Sequence, residues 1–199
     1  MKRITTFSRI ATVFCMIYII FDIICLFTIV PYIFGTIFRI CYCSLFIVLA
    51  TLMQSNKIFK RPSIYIIIAA LLGVVNACIG LYGNCLPHDS RMKLSLITGA
   101  IYIPELIFIC MGFFKLAKRL PKGTWLKRMA AAIPSIELSR LVLPIVWMLV
   151  FPDGNPAFRW FIETLFVVQT IIVALFYYAL PQILKYENDI NTQKSNSMD

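Results

Sequence analysis

Residues 64–86, IYIIIAALLGVVNACIGLYGNCL, contain no charged side chain, and their reading decides the class of fold. At about 1.5 Å per residue a helix of this length crosses the roughly 30 Å hydrocarbon core of a bilayer. In lipid every backbone N–H and C=O must be paired internally, which leaves helices or a closed barrel. Barrel strands alternate apolar and polar residues over about ten positions. The run from Ile64 to Leu72 shows no such alternation. The stretch therefore reads as a membrane helix.

Working outward, further apolar tracts give spans over about 10–30, 34–53, 64–86, 95–114, 133–151 and 160–183. Thr164 to Leu184 is also free of charge, whereas the fifth tract holds only 12 uninterrupted residues, Leu141 to Pro152. It spans if Ile136 to Arg140 joins the helix and Arg140 snorkels toward the headgroups. The whole chain has 199 residues, 60% hydrophobic and 14% charged. A soluble domain averages roughly 45–50% and about 25%, so a water-soluble globule is excluded. The expected architecture is an all-α polytopic integral membrane protein, one six-helix transmembrane bundle over 1–184. Residues 185–199, polar and poor in aliphatic side chains, are expected to form a disordered cytoplasmic tail.

The net charge of +10 follows topology. With the N-terminus in the cytoplasm, fifteen of the nineteen basic residues fall on inner segments, leaving Arg39, Arg91, Lys93 and Arg159 outside or beside the outer face. This is the positive-inside asymmetry. It places both termini in the cytoplasm of a multi-pass cell-membrane protein and takes away the case for nucleic acid. Lys2, Arg3 and Arg9 precede the first tract as in a secretory signal, but no small-residue cleavage pair follows it, so the tract is expected to stay as a helix. Lys115 to Arg140 is the longest polar stretch, expected to be a basic loop between spans four and five. Trp125, Leu126, Met129 and Ile133 within it offer one apolar side, so an interfacial helix that recruits anionic lipid or a protein partner is the alternative.

Seven cysteines carry no metal or redox pattern: Cys41-x-Cys43 is the closest pair, and the one histidine, His88, lies apart from it. No zinc-protease, nucleophile-elbow or phosphate-loop motif is present. Neither a catalytic residue, a metal nor a cofactor is expected.

Ionisable residues inside spans are the informative positions, because each costs roughly 2.5–3.5 kcal/mol at a helix centre without a partner or water. Asp22 and Arg39 lie at similar depths in the first two spans and are placed to pair across their hairpin. Glu105 has no evident partner, and Pro104 beside it frees a carbonyl near Ala100 to face a cavity. Glu137 with Arg140, and Arg159 with Glu163, have helical spacing for local pairs near the interfaces. Thr98, Tyr102, Glu105 and Gly112 share one face of span four, as do Cys15, Tyr18, Asp22 and Cys25 of span one. In span three Ala69, Gly73, Ala77 and Gly80 form a small-residue stripe suited to close helix approach, with Asn76 and Asn84 beside it. Residues 17–25 weakly match 101–110, a trace of the inverted repeats that build many carriers.

The first functional reading is a non-catalytic membrane component that packs with or docks a partner through the small-residue face and the basic loop. The second is a transporter or channel for an ion or small solute, with Asp22, Arg39, Asn76, Glu105 and Glu163 lining its path. An intramembrane enzyme comes third. What separates the first two is whether the buried polar residues converge on one cavity.

Overall fold

The computed structural model describes residues 2–27, 32–54, 59–83, 85–120, 124–150 and 157–196. Each apolar tract becomes a helix, and no strand occurs among the described residues. In chain order they are α1 (Lys2–Phe27), α2 (Tyr32–Gln54), α3 (Lys60–Gly83), α4 (His88–Arg119), α5 (Trp125–Val150) and α6 (Ala157–Asn196). Five segments are long and apolar enough to cross a membrane: Thr5–Ile24, Ile33–Gln54, Lys60–Gly83, Leu96–Arg119 and Thr164–Pro181. They come from α1, α2, α3, α4 and α6. The remaining helix, α5, has 26 residues but carries Lys127, Arg128, Glu137 and Arg140.

Two boundaries differ from the sequence reading. Of the stretch Lys115 to Arg140, expected to be a loop, the described residues are helical at both ends, because α4 runs on to Arg119 and α5 starts at Trp125. Thr124 explains the early start: its Oγ1 accepts the backbone N–H of Lys127 at 3.3 Å, a cap for the first turn. Nor is the segment a separate interfacial helix, since Leu126 and Ile133 are buried in the core while Trp125 stays exposed. At the other end α6 continues to Asn196, so residues 185–196, expected to be disordered, are helical. No glycine or proline follows Pro181 there, and adding residues to a helix already formed is far easier than starting one.

Each helix packs on the next in sequence and α6 packs on α1, so the six form a ring. The α1–α2 seam is the loosest. It is filled by side chains: Tyr18 stacks on Phe38 at 5.2 Å, and Phe21 and Phe14 lie 4.5 and 6.0 Å from the same ring. The α4–α5 contact, its counterpart in an inverted repeat, is closer, so the two halves do not pack alike.

The tightest contacts join α3 to α2 and α4, through the small-residue stripe. Ala69, Gly73 and Ala77 are all buried inside this chain. Gly112 of α4 meets the same helix: a Cβ there would stand 2.7 Å from Ile66 Cγ1, 3.2 Å from the Ile66 backbone nitrogen and 3.4 Å from the Pro62 oxygen. Backbone cannot move aside as a flexible side chain can, so Gly112→Ala is expected to cost about 1–3 kcal/mol. Gly99→Ala, on the same helix with nothing within 4 Å of the new Cβ, is expected to be neutral or to stabilise by about 0.5–1 kcal/mol. Chemical unfolding of both variants in detergent checks the contrast.

The end of the ring that carries the N-terminus and the α2–α3 and α4–α5 links is solid. Phe46, Phe113, Phe176 and Tyr177 are almost wholly buried, with Leu49, Leu116, Ile133 and Val173 around them. Phe113 meets Phe46 at 5.5 Å and Phe176 at 5.7 Å, both edge-on, an arrangement favoured by the ring quadrupoles. Ser8 of α1 donates its hydroxyl to the Tyr177 carbonyl. Outward the pattern reverses: Ile10, Val13, Ile17, Ile20, Leu71, Ile103, Ile145 and many similar residues are exposed. So much outward apolar surface is foreign to a monomer in water.

Candidate functional site

Above the aromatic layer the ring encloses a partly open cavity of about 350 Å³ to which all six helices contribute. On α2 its wall runs from Gly35 to Phe46, a depth of about 16 Å by helical rise. Asp22, Arg39, Glu105 and Glu137 line it, together with Thr36, Gln169 and Thr170. Asp22, Thr36, Glu137, Gln169 and Thr170 are all buried, whereas the Arg39 side chain keeps 39% of its surface and Glu105 13%.

The ion pair crosses between α2 and α4. Arg39 Nη2 donates to Glu105 Oε2 at 3.0 Å and to Oε1 at 3.1 Å. Asn76 of α3 adds its amide, Nδ2 to Oε2 at 3.3 Å. Glu105 thus holds a cation and a neutral donor from two other helices. Gly73 makes room for this, since a Cβ at that position would lie 2.9 Å from Glu105 Oε1 and 2.7 Å from Cys43 Sγ.

The other two carboxylates meet α6. Thr170 Oγ1 stands 3.1 Å from Asp22 Oδ2 and 2.9 Å from the Phe166 carbonyl oxygen. Gln169 Nε2 donates to Glu137 Oε1. Two consecutive residues of one helix therefore steady an acid of α1 on one side and an acid of α5 on the other.

The partners differ from those expected. Arg39 finds its carboxylate on α4, and Asp22 accepts a hydrogen bond from α6. The cause is the loose α1–α2 seam, where aromatic rings occupy the space between the two helices that the hairpin argument pairs. Glu137 is also placed differently. The sequence pattern puts it near an interface beside Arg140, but α5 begins at Trp125, well before 133, which brings Glu137 to mid-helix and onto the cavity wall. Ala100 lies on the exposed side of α4, so a carbonyl freed there is not on the wall. The side chains of Arg140, Arg159 and Glu163 lie outside the described residues, as do those of Cys25, Asn84 and His88.

Nothing matches this chain among family models, curated proteins or solved structures. The site must therefore be read from its own chemistry. Among the described residues no three of His, Cys, Asp and Glu gather closely enough to hold a metal ion. The cavity wall offers one guanidinium and three carboxyl groups, amide and hydroxyl donors, and aromatic faces from Tyr18, Phe21, Tyr42, Phe46, Tyr102 and Phe166. Such a wall orients a small guest by a few polar contacts while apolar surface surrounds the rest of it.

Gln169 and Thr170 were not singled out from sequence. Their signal was present: two adjacent polar side chains interrupt the otherwise apolar run from Leu165 to Leu180. In lipid such a pair has reason to face inward.

Proposed function

We propose that the chain is a six-span membrane carrier for a small solute, which binds in the central cavity. The observation that carries this reading is convergence. Asp22, Arg39, Glu105 and Glu137 come from four helices yet line one partly open space, which is where polar groups are tolerated at membrane depth. The solid aromatic end supports a carrier over an open channel, because alternating access needs one side closed while the site faces the other.

In this reading both termini and the basic links lie in the cytoplasm, and the cavity faces away from them. All six helices cross the cell membrane, α5 included. The docking reading loses one of its two supports, because the small-residue stripe of α3 is used within the chain. It keeps the basic inner segments, beside which the exposed Trp125 and Arg128 open α5.

The test is reconstitution into vesicles followed by ion-flux and solute-uptake screens, with Glu105→Gln as the control. That substitution keeps size and removes charge. Flux of one solute class, reduced at least tenfold by Glu105→Gln in a protein that still elutes as a single species, is the expected result. If no class moves across intact vesicles, the carrier reading falls and a docking component takes its place.

A further inference from the structure

We infer that the outer groove between α4 and α5 holds one anionic phospholipid, with an acyl chain along the groove and the phosphate at Lys115 and Lys118. This site is separate from the central cavity, and its failure would leave the carrier reading untouched. The groove measures about 390 Å³ and shares no lining residue with that cavity. Its apolar walls are Leu106, Ile107, Met111 and Phe114 of α4 and Leu138 of α5. All of these but Leu106 are exposed, so in a bilayer they meet lipid tails. Where the two helices touch, Cys110 Sγ stands 3.8 Å from the Pro134 carbonyl oxygen and closes the bottom of the groove.

Length and charge both suit a lipid. From Leu106 to Lys118 is about 18 Å by helical rise, close to one leaflet, which is half of the roughly 30 Å hydrocarbon core. The charge lies at one end only. Lys115 and Lys118 are the last two residues of α4 on the groove, and no acidic residue lines it. They sit three apart and are therefore neighbours on the helix surface. Among the described residues neither ammonium group has a carboxylate partner.

Lys115 is a positioned cation. Its Nζ donates to Tyr65 Oη of α3 at 2.8 Å and stands 4.0 Å from the centre of the same ring, which stacks on Phe108 at 6.2 Å. A lysine that only seeks water extends its stem toward the headgroups, whereas this amine is turned onto a neighbouring helix. Tyr65 takes one of its three N–H groups, leaving two for a phosphate oxygen. Two adjacent ammonium groups at the head of an apolar groove complement an amphiphile with an anionic headgroup. A soluble anion would meet the lysines and leave the long apolar walls unused.

The experiment is native mass spectrometry of the full-length protein in detergent, titrated with phosphatidylglycerol or with phosphatidylcholine of the same acyl chains. One phosphatidylglycerol is expected to bind at least tenfold more tightly than phosphatidylcholine. Lys115→Gln and Lys118→Gln should each weaken phosphatidylglycerol about fivefold and leave phosphatidylcholine within twofold. Tyr65→Phe, which keeps the ring and removes the hydroxyl that orients the amine, should weaken phosphatidylglycerol severalfold. Arg119→Gln and Arg128→Gln, exposed basic residues off the groove, should leave both lipids within twofold. Lys118 is exposed, so its replacement carries the test even if Lys115→Gln misfolds. Equal binding of the two lipids overturns the site. So does a loss in Arg119→Gln or Arg128→Gln as large as that in the lysine variants, which would mean diffuse attraction to the basic end. Displacement of phosphatidylglycerol by a tenfold excess of inorganic phosphate overturns the lipid assignment in favour of a soluble anion.

Discussion

Arg39→Met lowers the stability of the folded protein by about 1–3 kcal/mol, whereas Glu105→Gln costs less than about 1 kcal/mol. The asymmetry follows from what each change leaves behind. Without Arg39, a carboxylate only 13% exposed faces Asn76 alone within its bonded group, a neutral donor at 3.3 Å. Removing one partner of a fully buried pair typically costs about 3–5 kcal/mol. The 39% exposure of Arg39 lets solvent screen part of that loss, hence the smaller figure. Without the Glu105 charge, by contrast, Arg39 keeps its access to water and the glutamine oxygen still accepts a hydrogen bond. The double variant Arg39→Met/Glu105→Gln should recover most of the loss, because it leaves no lone charge. Thermal unfolding of all four proteins in one detergent measures the coupling. If the double variant loses the sum of the two single effects, the pair is not a unit and the contact between α2 and α4 is incidental.

The same pair shows how far sequence reasoning reaches. Asp22, Arg39, Asn76 and Glu105 were identifiable as inward-facing because a polar side chain in an apolar tract has one inexpensive direction. Their depths could be counted along the chain. Their partners could not, since the order and rotation of helices around a ring depend on side-chain shape. Tyr18, Phe21 and Phe38 fill the α1–α2 seam, and nothing in their spacing announces that Arg39 reaches across to α4. Glu137 was misplaced for a different reason. Hydropathy located the apolar part of the fifth span, but the Thr124 cap sets where α5 begins. A polar first turn is invisible to a hydropathy window and legible only from capping chemistry. The cavity itself has no sequence signature, because a void is the difference between six surfaces.

The second large effect concerns the closed end of the ring. Phe113 is fully buried and lies between Phe46 and Phe176, so Phe113→Ala removes the middle member of an aromatic layer drawn from three helices. In a water-soluble core Phe→Ala costs about 3–5 kcal/mol. Part of that figure is transfer from water, which a membrane helix already surrounded by lipid tails does not gain on folding. What remains is lost dispersion and an unfilled hole, so about 2–3 kcal/mol is expected. The functional effect should be larger than the structural one. Phe113 packs against Phe46, which lines the cavity, so its loss is expected to open a way from the cavity toward the basic end. Vesicles carrying Phe113→Ala should leak small ions without the selectivity of the parent protein, while Phe113→Leu, which refills most of the volume, should stay sealed. Equal tightness of the alanine and parent vesicles would mean that this layer is not the barrier, and that closure lies elsewhere along the ring.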